Sequence, residues 1–121
     1  MEIVIYRKNN VAVAFEEELR SSFSHVTAYT SVKSFCTRLR HTPSQGAILV
    51  LAAADEQELT TLMSFRHLME DAPVILIVPI RKSVLLANAH KFHPRFVGDL
   101  DHGTGEVVAV IHNMLTRTQA I

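Results

Sequence analysis

The side chains best suited to chemistry gather in one short stretch. His90, His93, Asp99, Asp101 and His102 lie around a single weak apolar run near the C-terminus. Imidazole and carboxylate together form the ligand set of zinc and its neighbours. No two of these residues stand at the spacing of a familiar zinc site, and a polar surface loop accounts for them equally. No metal is assigned to them, and no other cofactor is expected. Free imidazole titrates near pH ~6.5, so a histidine-rich segment also predicts a surface that gains charge below neutrality.

Other residues are weighed the same way. Arg7 with Lys8, and Arg81 with Lys82, follow two strongly apolar runs, and Lys91 lies further on. Such pairs suit an anion or, more commonly, a solvated face. Gly103 and Gly105 in DHGTGE precede a helical stretch, where two glycines can cradle an anion. The third glycine of a dinucleotide fingerprint is missing, and a turn capped by Thr104 explains the segment. Asp55 opens a helical run three residues before Glu58 and reads as an N-cap. Cys36, the single cysteine, falls on an apolar helix face and behaves there as a small hydrophobe.

Five apolar runs must position these groups: Glu2–Tyr6, Val26–Tyr29, Ala47–Leu51, Val74–Val78 and Arg95–Val97. The first, third and fourth are continuously apolar and β-branched, as strands covered on both faces are. Pro73 and Pro94 open the last two strands, where no ladder bond is lost, and Pro43 and Gly46 punctuate the loop before the third.

Helical periodicity fills the gaps. Asn10 is placed to cap Val11–Ser22, with Val11, Phe15, Leu19 and Phe23 inward and Glu16, Glu17, Glu18 and Arg20 in water. Thr30 or Ser31 caps Val32–His41, with Val32, Phe35, Cys36 and Leu39 inward. A helix after Asp55 runs through Glu70, with Leu59, Leu62, Met63, Arg66 and Met69 inward. Ser83–Phe92 forms a weaker helix bearing Val84, Leu85, Ala89 and Phe92. Val107, Val108, Ile111, Met114 and Leu115 stripe the last helix.

Strand and helix thus alternate five times. That order predicts a doubly wound α/β domain with a five-stranded parallel sheet, order 2-1-3-4-5, between two helical layers. One domain spans 1–118, and 119–121 reads as a tail or the start of a linker. The chain has 121 residues, 12 basic and 12 acidic, with a formal net charge of zero. Neutrality gives no electrostatic reason to expect nucleic acid or an anionic membrane as partner. No apolar stretch approaches the ~20 residues that span a bilayer, and the N-terminus is no signal peptide, so a cytoplasmic domain is expected.

With this order and spacing, and with PVILIVP in the fourth strand, the whole chain resembles a response-regulator receiver domain. The resemblance implies a site at the carboxyl ends of the strands. A receiver has an acidic pair after the first strand, a phosphoacceptor Asp after the third, a hydroxyl after the fourth and Lys–Pro after the fifth. Laid on that pattern, the acidic pair falls on Tyr6 and Arg7. The phosphoacceptor falls on Leu51, Ala52 or Ala53, the hydroxyl on Val78 before Pro79, and Lys–Pro on Asp99 and Leu100. None matches. Alanines cannot hold a hard cation or accept a phosphoryl group.

The resemblance therefore implies a pseudo-receiver: a phosphorylation-independent regulatory domain that works by protein–protein contact, and no enzyme. Its parent resembles a larger response regulator. Its partner would be another signalling protein or domain, or a second copy of the chain. The docking face would lie within Ser83–Thr116, with Leu86, Phe92, His93, Phe96, Val110 and His112 as candidates. Two alternatives stand beside it. One is a small-ligand or anion sensor at the carboxyl edge of the sheet, using Tyr6, Arg7, Arg81, Asp99 and Asp101. The other is a divergent receiver phosphorylated on Asp55 or Asp99.

Overall fold

Parallel pairing organises the chain. The computed structural model describes residues 2–8, 12–41, 47–69, 72–78, 94–99 and 104–119. The strands are β1 (Glu2–Tyr6), β2 (Val26–Tyr29), β3 (Ala47–Ala52), β4 (Val74–Val78) and β5 (Phe96–Asp99), in the order β2-β1-β3-β4-β5. All four pairings are parallel. This is the doubly wound receiver-type sheet expected from the sequence. The helices are α1 (Val13–Ser22), α2 (Val32–His41), α3 (Glu56–Met63) and α4 (Thr104–Gln119), with a 3₁₀ turn over Arg66–Met69.

The central strands alternate between two apolar layers. On one face Val4, Tyr6, Leu49, Leu51, Ala53, Leu76 and Val78 pack with Phe35 and Leu39 of α2 and Leu59 and Leu62 of α3. On the other, Ile3, Ile5, Ile48, Val50, Ala52, Ile75 and Ile77 pack with Phe15 and Leu19 of α1 and Val107 and Ile111 of α4. A strand covered on both sides has no wet face, which is why β1, β3 and β4 read as unbroken apolar runs. Phe35 centres the first layer, its ring 5.4 Å from Tyr6, 6.1 Å from Tyr29 and 6.2 Å from Phe65.

Several expectations need correction. The stretch after Asp55 is not one helix through Glu70. The Ser64 N–H is shared between the Thr60 and Thr61 carbonyls, and the Phe65 N–H reaches only Leu62 O. The backbone tightens from α to 3₁₀ there, which changes the phase of the stripe. Phe65 turns inward and Arg66 is exposed. Helix α1 starts at Val13, later than expected. Its cap position is Ala12, in the left-handed region at φ 60° with no side-chain cap. Asn10 and Val11 lie outside the described residues. Glu16 is not on the wet face but is largely buried in an ion-pair cluster. Strand β5 continues past Val97 through Gly98 and Asp99, because Ile77 and Val78 offer ladder partners there.

The expected helix Ser83–Phe92 lies outside the described residues, as do Arg81, Lys82, His90, Lys91, Asp101, His102 and Gly103. Among the described residues no helix is long and apolar enough to cross a membrane.

Candidate functional site at the carboxyl edge of the sheet

Strand register brings the receiver-equivalent positions together. Tyr6 pairs with Leu51, Ala52 with Ile77, and Val78 with Asp99. The Ala53 N–H continues the ladder onto Ile77 O at 2.9 Å. Tyr6, Leu51, Ala52, Ala53 and Val78 are each at most 1% exposed. Where the resemblance asks for carboxylates around a cation, these five positions form a buried floor with no carboxylate.

Arg7 is committed to structure. Its N–H donates to Tyr29 O at 3.0 Å. Its Nε donates to Glu16 Oε1 at 2.6 Å, and Arg20 Nε donates to Glu16 Oε2 at 2.8 Å. Arg20 also reaches Val26 O at 3.0 Å, so this cluster ties α1 to the end of β1 and the start of β2. Burial alone would raise the Glu16 carboxyl, but hydrogen bonds and charge from Arg20 and Arg7 hold it below the usual range. A similar knot sits at the opposite end of β1. Glu2 accepts from Arg38 at 2.6 Å and from Thr27 Oγ1 at 2.8 Å. Those bonds outweigh its burial and lower its pKa.

The polar group that sequence reasoning missed is Glu58. It lies in the first turn of α3 and its side chain is only 7% exposed. Asp55 caps the helix, its Oδ1 accepting the Glu58 N–H at 2.8 Å, as expected for an N-cap. Glu58 Oε1 turns back to accept the Ala54 N–H at 3.3 Å, and Lys8 Nζ stands 4.0 Å from Oε2. Burial raises the Glu58 pKa against the partial relief given by Ala54 and Lys8. Tyr6 beneath it is pushed up to about 12, by its own burial first and then by the Glu58 charge. Glu58 shares a helix face with Leu62 and Phe65, and that spacing was the signal that could have placed it inward.

A cleft of about 410 Å³ opens above Tyr6, lined by Lys8, Thr30, Ser31, Val32, Asp55, Gln57, Glu58 and Thr61. Ser31 caps α2 by accepting the Ser34 N–H at 3.2 Å. Thr30 and Ser31, just before α2, thus line the cleft together with Asp55, Gln57 and Glu58 at the start of α3. The cleft can offer an ammonium, a carboxylate, hydroxyls and a phenol to one small molecule.

The remaining candidates fall elsewhere. Among the described members of the expected docking face, Phe96 and Val110 are half-buried against the second layer. His112 is exposed, with its ring 4.7 Å from Phe23. Leu86, Phe92 and His93 lie outside the described residues. Cys36 is half-buried, and burial raises its thiol pKa. Among the described residues no three His, Cys, Asp or Glu side chains group closely enough to hold a metal.

No family model and no curated protein matches the sequence. Solved structures match in shape. A response regulator receiver protein from Pseudoalteromonas atlantica superposes with a TM-score of 0.72 at 15% identity, covering 98% of this chain and 99% of that one. A protein described as pilus assembly-related from Burkholderia pseudomallei gives 0.69 at 17% identity, over 99% and 90%. A LuxR-family DNA-binding response regulator from Staphylococcus aureus gives 0.65 at 13% identity, over 93% and 98%. At such identities the likeness establishes the fold: a flavodoxin-like domain of the receiver type.

Proposed function

We propose that the chain is a receiver-type regulatory domain that works without phosphorylation, through contact with other proteins. One observation carries this reading. At the strand ends where a receiver gathers its cation ligands and phosphoacceptor, this chain has Tyr6, Leu51, Ala52, Ala53 and Val78, all buried. A divalent cation needs several oxygen ligands, and none of these five side chains offers a carboxylate. Without cation ligands or an acceptor carboxylate at these positions, phosphoryl transfer has nothing there to drive a switch. The domain is a scaffold and no enzyme.

The fold it shares with two response-regulator structures supports a place in signalling. The partner is then another signalling protein or domain, or a second copy of this chain, in the cytoplasm. Zero formal net charge argues against direct binding to nucleic acid or to an anionic membrane.

Incubation with magnesium and acetyl phosphate, followed by intact-mass measurement, tests the reading. The account expects an unchanged mass. Incorporation of a phosphoryl group at Asp55 or Asp99 would overturn it. Sedimentation across a concentration series then separates self-association from dependence on a different protein.

A further inference from the structure

The cleft between α2 and α3 is unexplained by a scaffold role. Its volume of about 410 Å³ lies within the range of small-molecule sites, roughly 300–1,000 Å³. Its walls carry both signs of charge. On one side stands Glu58, 7% exposed, whose Oε1 has one bond of 3.3 Å to the Ala54 N–H. No hydrogen bond reaches Oε2 among the described residues; Lys8 Nζ, at 4.0 Å, is too far for one. An ionised carboxylate has about four acceptor positions, and no buried side-chain polar atom among the described residues lacks a partner, so Oε2 is accessible from the cleft. Asp55 offers no relief, because its carboxylate is a like charge with no proton to donate.

Next to it, with Nζ 4.0 Å from Oε2, stands Lys8, and the start of α2 completes the lining. The Lys8 side chain is 59% exposed on a flexible stem, so its ammonium can move off Glu58 without disturbing the fold. The N-terminal turn of α2 opens at Thr30 and Ser31 and favours negative charge. A cationic donor fits the Glu58 side and an anionic group fits the Lys8 side.

We propose that this cleft binds a small zwitterion, an α-amino acid in its simplest form, with its ammonium on Glu58 Oε2 and its carboxylate on Lys8 and the first turn of α2. Tyr6 forms the floor, and Gln57 and Thr61 face the ligand's side chain. Binding bridges α2 and α3, so an occupied cleft presents partners with a more rigid α2–α3 surface. The inference does not depend on how the domain stands toward phosphorylation, and its test uses different ligands.

The experiment is a titration of the ¹⁵N-labelled chain with free glycine, alanine, serine and glutamate, each to about 10 mM, which covers weak millimolar binding. At least one should produce saturable shifts at Lys8, Ser31, Val32 and Glu58. Its methyl ester and its N-acetyl form should bind at least about tenfold more weakly, as each loses a charge-assisted hydrogen bond. Glu58→Gln and Lys8→Met should each weaken binding by a similar factor while distant amides keep their positions. Lys8 is exposed, so Lys8→Met answers the question even if Glu58→Gln does not fold. Silence from all four amino acids would overturn the proposal. So would equal binding of the ester or the N-acetyl form, or the same shifts with inorganic phosphate alone.

Discussion

Ala53→Asp puts a carboxylate back where a receiver carries its phosphoacceptor, and the structure says what that costs. Ala53 is 0% exposed and packs with Tyr6, Leu51, Leu59 and Val78. Its backbone is held by the bond to Ile77 O, so the side chain cannot swing to water without breaking the ladder. An unpaired buried charge costs about 3–5 kcal/mol. A chain of 121 residues has a stability of about 6–18 kcal/mol at ~0.05–0.15 kcal/mol per residue. The substitution therefore removes a large share of the total. Ala53→Asn, of the same shape, should cost only about 1–3 kcal/mol for its amide.

Urea unfolding of both variants at neutral pH isolates the charge as their difference, about 2 kcal/mol. Burial raises the folded-state pKa of the new aspartate, so the folded state holds its proton more tightly. The difference between the variants should be absent below the unfolded-state pKa and grow as pH rises toward the folded-state value. Equal stability of the two variants across pH would show that water reaches the edge, and would refute the buried-floor argument.

Other outcomes follow from single contacts. Glu16→Gln leaves Arg7 and Arg20 without their shared carboxylate and should cost about 1–3 kcal/mol by urea unfolding, since Glu16 and Arg7 are both about 15% exposed. Glu16 and Glu2 are held below their usual value of 4.5, so the stability they contribute is present above that pH and lost as pH falls through their lowered values. Thermal melts from pH 6 downward should show the loss, reduced in Glu16→Gln. Phe35→Ala empties the centre of an aromatic cluster and should cost about 3–5 kcal/mol, read as a lower urea midpoint with little change in slope. Asp55→Ala removes the cap of α3 and should cost about 1 kcal/mol in the same assay.

The sheet was legible in the residues because β1, β3 and β4 are covered on both faces and only apolar, β-branched runs satisfy that. The bounds of β1, β2, β4 and α2 match the expected ones. The misses have local causes. Gly98 and Asp99 do not look like strand residues; they extend β5 because β4 offers them partners. The break at Ser64 comes from a shared N–H and from hydroxyls of Thr60, Thr61 and Ser64 bonding back to backbone carbonyls. The register also explains why no one-residue slip rescues the receiver pattern: Leu51, Ala52 and Ala53 alternate between the two layers, and all three are buried.

The polar site was less legible. Arg7 looked like a cation at the sheet edge, and its commitment to Glu16 depends on where α1 lies, which sequence spacing does not give. Glu58 stands three residues after the Asp55 cap, a position that does not by itself mark burial. Only the packing of Leu62 and Phe65 on its face turns it toward Tyr6.

The most direct test of the central claim is an amide chemical-shift titration with magnesium and beryllofluoride, a mimic of the phosphoryl group. The account predicts no saturable shifts at Ala52, Ala53, Val78 or Asp99, because Tyr6, Leu51, Ala52, Ala53 and Val78 offer no carboxylate to hold a cation or accept a phosphoryl group. Saturable shifts clustered at those residues would contradict it and make the domain a working phosphorylation switch.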